Sequence, residues 1–392
     1  MLSRDNKTLN KDGFELATTE ALQLTSWWQS LLESRDQLLA NPRFQRWAAS
    51  FPMTRFIARR RAKETFDLVA GFVYSQILLA CVRLNVFEIL AEKPQTIEDL
   101  ALRLPLSIES TQRLVEAAIS LDLVEHRSRG RYGLGRLGAP LVGNKPIRAM
   151  IEHHALLYAD LRDPVALLRG ERHQMALAGY WPYSGAEEPS ALVTDRVAAY
   201  TQLMSVSQPL VAGEVLDACP LDKYRCLLDV GGGDGSFLIT VAQRYPKLNL
   251  MLFDLPPVAT LAIRKMDAAG LMSRTLVVGG SFLDEPLPAG ADIISFVRVI
   301  HDHDDASVLR MLRAAREALA PGGALLIAEP MADTAGARAM GNAYFGFYLL
   351  AMGSGRPRTE ARLAELLRMA GFSTSKRIAT KLPLQTSILI AS

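Results

Sequence analysis

Residues 227–235 (LLDVGGGDG) form a glycine-rich stretch directly after an apolar segment, which predicts a strand, a tight turn and the start of a helix. Glycines at 231, 233 and 235 tolerate positive φ and let a ligand lie against the main chain. The spacing D-x-G-x-G-x-G differs from the G-x-G-x-x-G of dinucleotide-binding loops. Asp229 and Asp234 would also repel a pyrophosphate. An acid-flanked loop suits a cationic ligand without phosphate, such as S-adenosylmethionine (SAM).

Polar or aromatic side chains also follow the four later strands of the predicted sheet. In a parallel sheet, ligands bind beyond the carboxyl ends of the strands. Asp254 lies about twenty residues past the glycines, where an acid can accept from ribose hydroxyls, and Ser281 and Phe282 follow in positions to flank adenine. His301 and Glu329 end the next two strands. Any one of these residues alone is better explained as a helix cap or a solvated loop residue. Suitable residues at all five consecutive strand ends together indicate a SAM site. The predicted cofactor-binding set is completed by Asp229, Gly231, Gly233, Leu255 and Arg298.

The elements that position these residues alternate strand and helix from about residue 219 onward, which predicts an α/β fold. Five strands are predicted at 226–230, 248–253, 275–278, 292–299 and 324–328. Two last segments, 373–379 and 387–391, have no helix between them and are predicted to pair antiparallel. The expected fold is a class I methyltransferase Rossmann-like sheet, parallel with one antiparallel edge strand.

An α-rich module precedes this sheet. The helices predicted after Thr96 and Ser107, followed by a β-hairpin at 123–134, are typical of a winged helix. The second helix carries two glutamates against one arginine, which does not favour binding to DNA phosphates. Arginines in the hairpin leave that question open, and dimerisation is the favoured role.

The chain has 392 residues, enough for more than one core. We divide it into a basic, aromatic extension, a winged-helix dimerisation domain, a helical connector that acts as a substrate lid, and a SAM-binding domain: residues 1–65, 66–148, 149–218 and 219–392. Seven basic and no acidic residues lie between 41 and 63, interleaved with aromatic ones. Such a helix suits an anionic membrane surface, but it could equally pack on the dimer mate.

Several classes of protein are disfavoured by composition. The net charge of +3 does not call for a nucleic-acid or other acidic partner, and none is expected. Three cysteines without C-x-x-C spacing fit reduced thiols, and neither a secretory signal nor a membrane-spanning segment is predicted. The run 301–305 (HDHDD) is better explained by helix capping than by a metal site, and His153 and His154 are predicted to be ordinary helix residues.

The motifs resemble those of the O-methyltransferase family that includes caffeate and flavonoid enzymes of plants and polyketide and carotenoid enzymes of bacteria. The resemblance covers roughly residues 66–392. It rests on six motifs: DVGGG at 229–233, FDLP at 253–256, GSF at 280–282, IHD at 300–302, PGG at 321–323 and RT at 358–359. Segments PRFQRW at 42–47, ARRRA at 58–62 and GFVYSQ at 71–76 are most similar to the carotenoid-type members.

The resemblance implies that His301 is the general base and that Glu329 orients it. An attacking hydroxyl must lose its proton as the new bond to methyl forms, and a neutral imidazole can accept that proton. Four positions depart from the family pattern: Ser281 replaces an aspartate, His303 a tryptophan, Pro357 a second orienting glutamate, and Val297 a lysine that contacts SAM.

The acceptor is expected to be large and hydrophobic, because residues 340–352 are overwhelmingly apolar and aromatic. A core helix would look much the same. The resemblance implies the tertiary 1-hydroxyl of an acyclic carotenoid, a homodimer, and a cytoplasmic location with peripheral contact at the photosynthetic membrane. An aromatic polyketide or bacteriochlorophyll precursor is the alternative acceptor, and a SAM-sensing winged-helix regulator is the remote alternative function.

Overall fold

The computed structural model describes residues 27–171, 175–180, 194–384 and 386–392. Residues 1–26 of the predicted extension, and 172–174 and 181–193 of the predicted connector, lie outside the described residues. The chain forms two compact units, Met1–Ile77 and Leu78–Ser392. The predicted four-part division stays a prediction.

The N-terminal unit is helical where it is described. Its helices are α1 (residues 27–40), α2 (Pro42–Ser50) and the first part of α3 (Arg55–Arg83). Asn41 begins α2 by accepting a hydrogen bond from the backbone N–H of Arg43, and Pro42 occupies a first-turn position that needs no donor. The aromatic side chains of α1 and α2 are therefore carried on ordered helices.

Helix α3 is long and apolar enough to cross a bilayer, judged by length and composition alone. From the sequence we predicted no membrane-spanning segment and did not anticipate a helix of this length and composition. Its apolar side chains include Leu68, Val69 and Phe72, all strongly exposed in the single chain. The described residues bury only 17% of its most apolar stretch.

The predicted helix–turn–helix–hairpin order is confirmed between residues 86 and 134. Helices α4 (Val86–Glu92), α5 (Ile97–Arg103) and α6 (Ile108–Ser120) precede strands β1 (Val124–Arg127) and β2 (Arg131–Leu134). Thr96 and Ser107 cap α5 and α6 as predicted. The strands pair antiparallel, with positive φ at Arg129 and Gly130 in the turn.

Helices dominate the connector as predicted: α7 (Lys145–Asp160), α8 (Pro164–Leu168), α9 (Ala176–Tyr180) and α10 (Thr194–Ala218). Beyond it lie a seven-stranded sheet and the helices that cover it. The strands are β3 (Cys226–Val230), β4 (Asn249–Asp254), β5 (Thr275–Gly279), β6 (Ile293–Val297), β7 (Ala324–Glu329), β8 (Ser375–Ile378) and β9 (Ser387–Ala391). The helices are α11 (Ser236–Arg244), α12 (Pro256–Ala268), α13 (Asp305–Ala318), α14 (Phe345–Met352) and α15 (Glu360–Met369).

The strand order is β5-β4-β3-β6-β7-β9-β8, with β9 antiparallel to both of its neighbours. The antiparallel strand was predicted at the edge, whereas β9 lies one place inside it, between β7 and β8. The fold class is otherwise as predicted. The chain order reverses at β3, so the loops after β3 and β6 diverge and leave a crevice at the carboxyl ends.

Alternate residues of each strand pack into cores on opposite faces of the sheet. Leu228, Phe253 and Phe296 join α13 and α15 on one face, whereas Leu227 and Leu252 join α10, α11 and α12 on the other. Strands β6 and β7 are buried along their whole length, as expected for central parallel strands covered on both faces. All three cysteines are free thiols, as predicted. This double core fixes the strand ends that carry the site.

Candidate active site

A cavity of about 480 Å³ opens at the carboxyl ends of the central strands, within the size range of small-molecule sites. All eight residues predicted to bind the cofactor line it: Asp229, Gly231, Gly233, Asp254, Leu255, Ser281, Phe282 and Arg298. The structure therefore brings together side chains that are up to 69 positions apart in the sequence. Val297 lines it too, with no charge where plant enzymes place lysine.

The glycine loop lies flush against the end of the sheet. Gly231 donates its N–H to the carbonyl of Phe253 at 2.8 Å, and its φ is +68°. A Cβ on Gly231 would lie 2.8 Å from Val299, so a side chain fits neither the conformation nor the space. Gly235 begins α11, also with positive φ.

Asp254 joins the first two loops of the crevice. Its two carboxylate oxygens accept from the backbone N–H groups of Gly233 and Leu255, each at 2.7 Å. Burial raises the pKa of Asp254 to about 6, although these two hydrogen bonds oppose the rise. Each oxygen keeps a further lone pair, which fits the predicted acceptor of ribose hydroxyls.

The loop is less acidic than the sequence suggests. Asp234 forms an ion pair with Lys265 at 2.6 Å and accepts from the hydroxyl of Ser236. Asp229 is 1% exposed and accepts from Ser295 at 2.6 Å. Burial raises the pKa of Asp229 to about 7. The argument from two free negative charges is therefore wrong for Asp234, whose charge Lys265 neutralises.

The predicted adenine wall contains Phe282 and His303, whose rings meet edge to face with centroids 5.2 Å apart. Burial, with smaller effects from the charges of His301 and Arg358, lowers the pKa of His303 to about 4, so this imidazole is neutral at pH 7. The Ser281 hydroxyl donates to Asp284 at 2.9 Å. The backbone N–H of Ser281 donates to Glu285 at 3.2 Å, and its hydroxyl oxygen accepts from the N–H of Leu283 at 3.3 Å, so Ser281 is committed mainly to the fold of its own loop.

Arg298 ends β6 with a positive φ of 61°, unusual for a residue with a side chain. Its guanidinium donates to the Ser207 hydroxyl at 2.7 Å and lies equally close to the sulfur of Met204, both on α10. Arg298 thus connects the sheet to the connector helix that forms one side of the cavity.

His301 is buried in a 3₁₀ turn, Ile300–Asp302, that follows β6. Its backbone N–H donates to Glu329 at 2.9 Å, and its Nδ1 lies 3.4 Å from the same carboxylate oxygen. A carboxylate only accepts, so Nδ1 carries a proton toward Glu329, and Nε2 has a lone pair only while the imidazole is neutral. Nε2 lies 3.2 Å from Oδ1 of Asp302. The imidazole therefore has one carboxylate at each nitrogen.

These carboxylates control the protonation of His301. Burial lowers the pKa of His301, but the charge of Asp302 and the hydrogen bond and charge of Glu329 outweigh burial and raise it above its usual value. Burial raises the pKa of Asp302 to about 6, against the opposing effect of His301. Neither His301 nor Glu329 is among the described residues that line the cavity, whereas Asp302 is. Sequence reasoning expected only Glu329 to orient His301, whereas the structure places Asp302 beside its imidazole as a second carboxylate.

The predicted acceptor segment, residues 340–352, is a π-helical turn (Ala339–Tyr344) followed by α14. His153 and His154 lie on helix α7 as predicted, and their Nε2 atoms lie 2.8 and 2.9 Å from the hydroxyls of Tyr348 and Tyr344. Phe345 meets the ring of His301 edge to face, with centroids 5.7 Å apart. Part of the segment is core, since Leu349 and Met352 belong to a buried cluster.

Sequence reasoning missed Lys265, Asp302 and the histidine–tyrosine pairs. Asp302 had a signal, because it adjoins the predicted base. Lys265 and the tyrosines had none, because their partners are 31 and about 190 positions away. Among the described residues, no group of three or more histidine, cysteine, aspartate or glutamate side chains is placed to hold a metal ion.

Two family models match this chain: an O-methyltransferase domain over residues 158–373 and an O-methyltransferase dimerisation domain over residues 66–144. The chain belongs to the O-methyltransferase family. It is 44% identical to the demethylspheroidene O-methyltransferase of Cereibacter sphaeroides, over 87% of this chain and 89% of that protein. The Rhodobacter capsulatus protein of the same name is 41% identical over 87% and 84%.

A solved structure of human N-acetylserotonin methyltransferase in complex with SAM has a TM-score of 0.67 and 25% identity, covering 84% of this chain and 97% of that one. The match to the dimerisation domain indicates a homodimer. The chain is a SAM-dependent O-methyltransferase.

Proposed function

We propose that this enzyme methylates the tertiary 1-hydroxyl of an acyclic carotenoid of the demethylspheroidene type. The observation that carries the proposal is the 44% identity to a demethylspheroidene O-methyltransferase, spread over most of both chains. The aromatic and apolar wall beside His301, which includes Phe345, supports an acceptor without polar groups near its hydroxyl.

The cavity residues fit SAM. The glycine loop leaves backbone open to a ligand, Asp254 offers lone pairs to ribose hydroxyls, and the perpendicular rings of Phe282 and His303 offer aromatic surface to adenine. When bound, SAM supplies a methyl group that the acceptor oxygen displaces in line from the sulfonium. The residues of the chain must then bind, orient and take up one proton.

His301 is suited to take that proton at Nε2. Glu329 fixes the tautomer by accepting from Nδ1–H, and Asp302 lies where it stabilises the resulting imidazolium. A tertiary alcohol loses its proton less readily than a phenol, so it needs a stronger base. The two carboxylates raise the pKa of His301, which is the direction that a stronger base requires.

The test is transfer of label from methyl-labelled SAM by the purified protein, with demethylspheroidene in detergent micelles as the acceptor. The matched control acceptor is the same carotenoid with its hydroxyl already methylated. We expect label in the hydroxylated carotenoid alone. Turnover on an aromatic polyketide or a bacteriochlorophyll precursor, with none on the carotenoid, would move the assignment to that acceptor. SAM binding without turnover on any of them would favour the regulator.

We also propose that the N-terminal unit holds the enzyme at the cytoplasmic face of the photosynthetic membrane. The ring of Trp47 stacks on that of Phe51 with centroids 5.0 Å apart, and the ring of Phe44 lies tilted against Trp47 at 5.6 Å. Trp47 and Phe56 are half or more exposed, and residues 41–63 carry only basic charge. Aromatic rings between cations match the interface of an anionic bilayer, where a carotenoid substrate would dissolve.

Flotation with phosphatidylglycerol vesicles tests this contact on the full chain, with phosphatidylcholine vesicles as the lipid control. We expect binding to the anionic vesicles that weakens with salt and is lost in Trp47→Ser/Phe56→Ser. Leu102→Ser, at a still more exposed leucine of α5, is the control for loss of an exposed apolar side chain elsewhere. If Trp47→Ser/Phe56→Ser floats normally but sediments as a monomer, these side chains of the N-terminal unit pack on the second subunit and the membrane proposal fails.

A further inference from the structure

One short segment, residues 354–358, holds the turn that carries His301 through hydrogen bonds to its carbonyl groups; these bonds form the carbonyl grip. Four consecutive carbonyls of the turn accept hydrogen bonds from it: Ile300 from Arg358 Nη1 at 3.0 Å, His301 from the N–H of Arg356 at 2.9 Å, Asp302 from the Ser354 hydroxyl at 2.9 Å, and His303 from Arg358 Nη2 at 2.6 Å. No carbonyl between residues 300 and 303 is left without a donor. The peptide planes on both sides of the base are therefore fixed from one side.

Arg358 makes the two outer bonds of this grip. It is 2% exposed, and its third arm donates Nε–H to Asp305 at 2.8 Å, at the start of α13. A guanidinium is planar and presents its donors in a rigid fork, which an ammonium cannot reproduce. Burial raises the pKa of Asp305, but the hydrogen bonds from Arg362 and Arg358 outweigh it and lower that pKa overall, so the carboxylate stays charged at neutral pH.

The segment also lies in direct contact with the turn. Gly355 has a φ of +79°, and a Cβ at this position would overlap the carbonyl oxygen of His301. Ser354 and Gly355 line the SAM cavity on their other side. Ser354 and Gly355 therefore contact both the cofactor site and the backbone of the turn.

We propose that Arg358 is a positioning residue for methyl transfer, which sets the ring of His301 between Asp302 and Glu329. This inference rests on the proposed role of His301 as the base. Without the guanidinium fork, the turn keeps the hydrogen bonds from Ser354 and Arg356 but loses the two outer bonds that Arg358 makes. The imidazole then departs from the two carboxylates that raise its pKa. Arg358 touches neither substrate nor proton and acts only through the backbone of the turn.

Arg362 provides a matched control. It pairs with the same carboxylate of Asp305 at 2.7 Å but donates to no carbonyl of the turn in the described structure. Arg358→Lys keeps the charge and loses the fork, and Arg362→Lys makes the same exchange beside it. A difference between the two variants thus reports on the carbonyl grip and not on the ion pair.

The experiment measures kcat, the KM for SAM, and the pKa of His301 by NMR of ¹⁵N-histidine-labelled protein. We expect Arg358→Lys to lower kcat by about 10- to 100-fold, the scale of a misplacement near 1 Å, with the KM for SAM within about threefold. The pKa of His301 should fall toward its usual value. Millimolar guanidinium chloride should restore part of kcat in Arg358→Ala. Arg362→Lys should leave kcat and that pKa unchanged.

Equal losses in both variants, or a lowered melting temperature with an unchanged kcat and His301 pKa, would overturn the proposal and leave Arg358 with a role in stability alone. If Arg358→Lys does not fold, Ser354→Ala weakens the same grip by one bond, and an unchanged His301 pKa in that variant would count against it. The NMR pKa does not depend on the acceptor, so it separates failure of the grip from failure of the carotenoid assignment.

Discussion

Asp302→Asn should move the acid limb of the pH–rate profile to lower pH. The substitution keeps the shape of the side chain and removes a negative charge 3.2 Å from Nε2 of His301. That charge raises the pKa of His301, and only the deprotonated imidazole accepts a proton. In the wild type, kcat/KM therefore rises as pH passes a pKa above the usual histidine value. In Asp302→Asn, kcat/KM should rise at a lower pH.

The expected size of the shift follows from the geometry. Two unit charges separated by 3.2 Å attract by about 5 kcal/mol at an effective dielectric constant of about 20. At about 1.4 kcal/mol per pKa unit this is an upper bound of nearly 4 units. Asp302 itself has a pKa of about 6 and is not fully charged over the whole limb. Measured opposite-charge effects are about 1–3 units, so we expect a shift of about 1–2 units.

The assay measures kcat/KM for the acceptor at saturating SAM, between about pH 5 and pH 9. In Asp302→Asn we also expect the plateau rate at high pH to be about 3- to 10-fold lower, because a weaker base accepts the proton less readily. Asp304→Asn is the matched control: Asp304 caps α13 through the N–H of Ser307 and is not among the charges that shift the pKa of His301. An acid limb that stays in place, or moves to higher pH, would refute the assignment of this limb to His301.

Three further changes test the rest of the site. His301→Ala should abolish turnover and leave the dissociation constant for SAM, measured by calorimetry, within about twofold, because the ring is behind the cavity wall. Gly231→Ala should reduce SAM affinity and lower the free energy of unfolding by at least about 1–2 kcal/mol, because φ is positive and a Cβ would meet Val299. Lys265→Met should destabilise the fold at pH 7 by about 1–3 kcal/mol. Burial raises the pKa of Asp234, but its bonds to Lys265 and nearby hydroxyls lower it overall below 3.8, so this stabilisation exists above about pH 4 and is lost as pH falls through the folded-state value. Urea unfolding at pH 7 and pH 3 should show the difference between wild type and Lys265→Met shrinking at the lower pH.

The sheet could be predicted because its signals are local. Buried strands such as β3 and β7 are short apolar runs that end at a turn or a capped helix, and each predicted boundary lies within two residues of the observed one. The carboxyl ends of the strands then follow from topology. For that reason, eight residues chosen from strand ends all lie on one cavity.

What the sequence could not predict is the partner of each charged or polar side chain. Asp234 looked like a free acid until Lys265, one helix away, met it. His153 and His154 looked ordinary because Tyr344 and Tyr348 are about 190 positions further on. Such pairings depend on which helices pack together, and no local pattern specifies that.

The base illustrates how the two kinds of information combine. Pro357 stands where plant relatives have a second orienting glutamate, which led to an expectation of one carboxylate at His301. The structure supplies a second carboxylate from Asp302, within the turn itself, so the orientation of that turn now decides whether the carboxylate reaches Nε2. A grip on every carbonyl from 300 to 303 is what such an arrangement requires, and Arg358 is placed to give it. Base strength and backbone clamping are therefore linked in this enzyme, and Asp302→Asn should make the pKa of His301 less sensitive to Arg358→Lys.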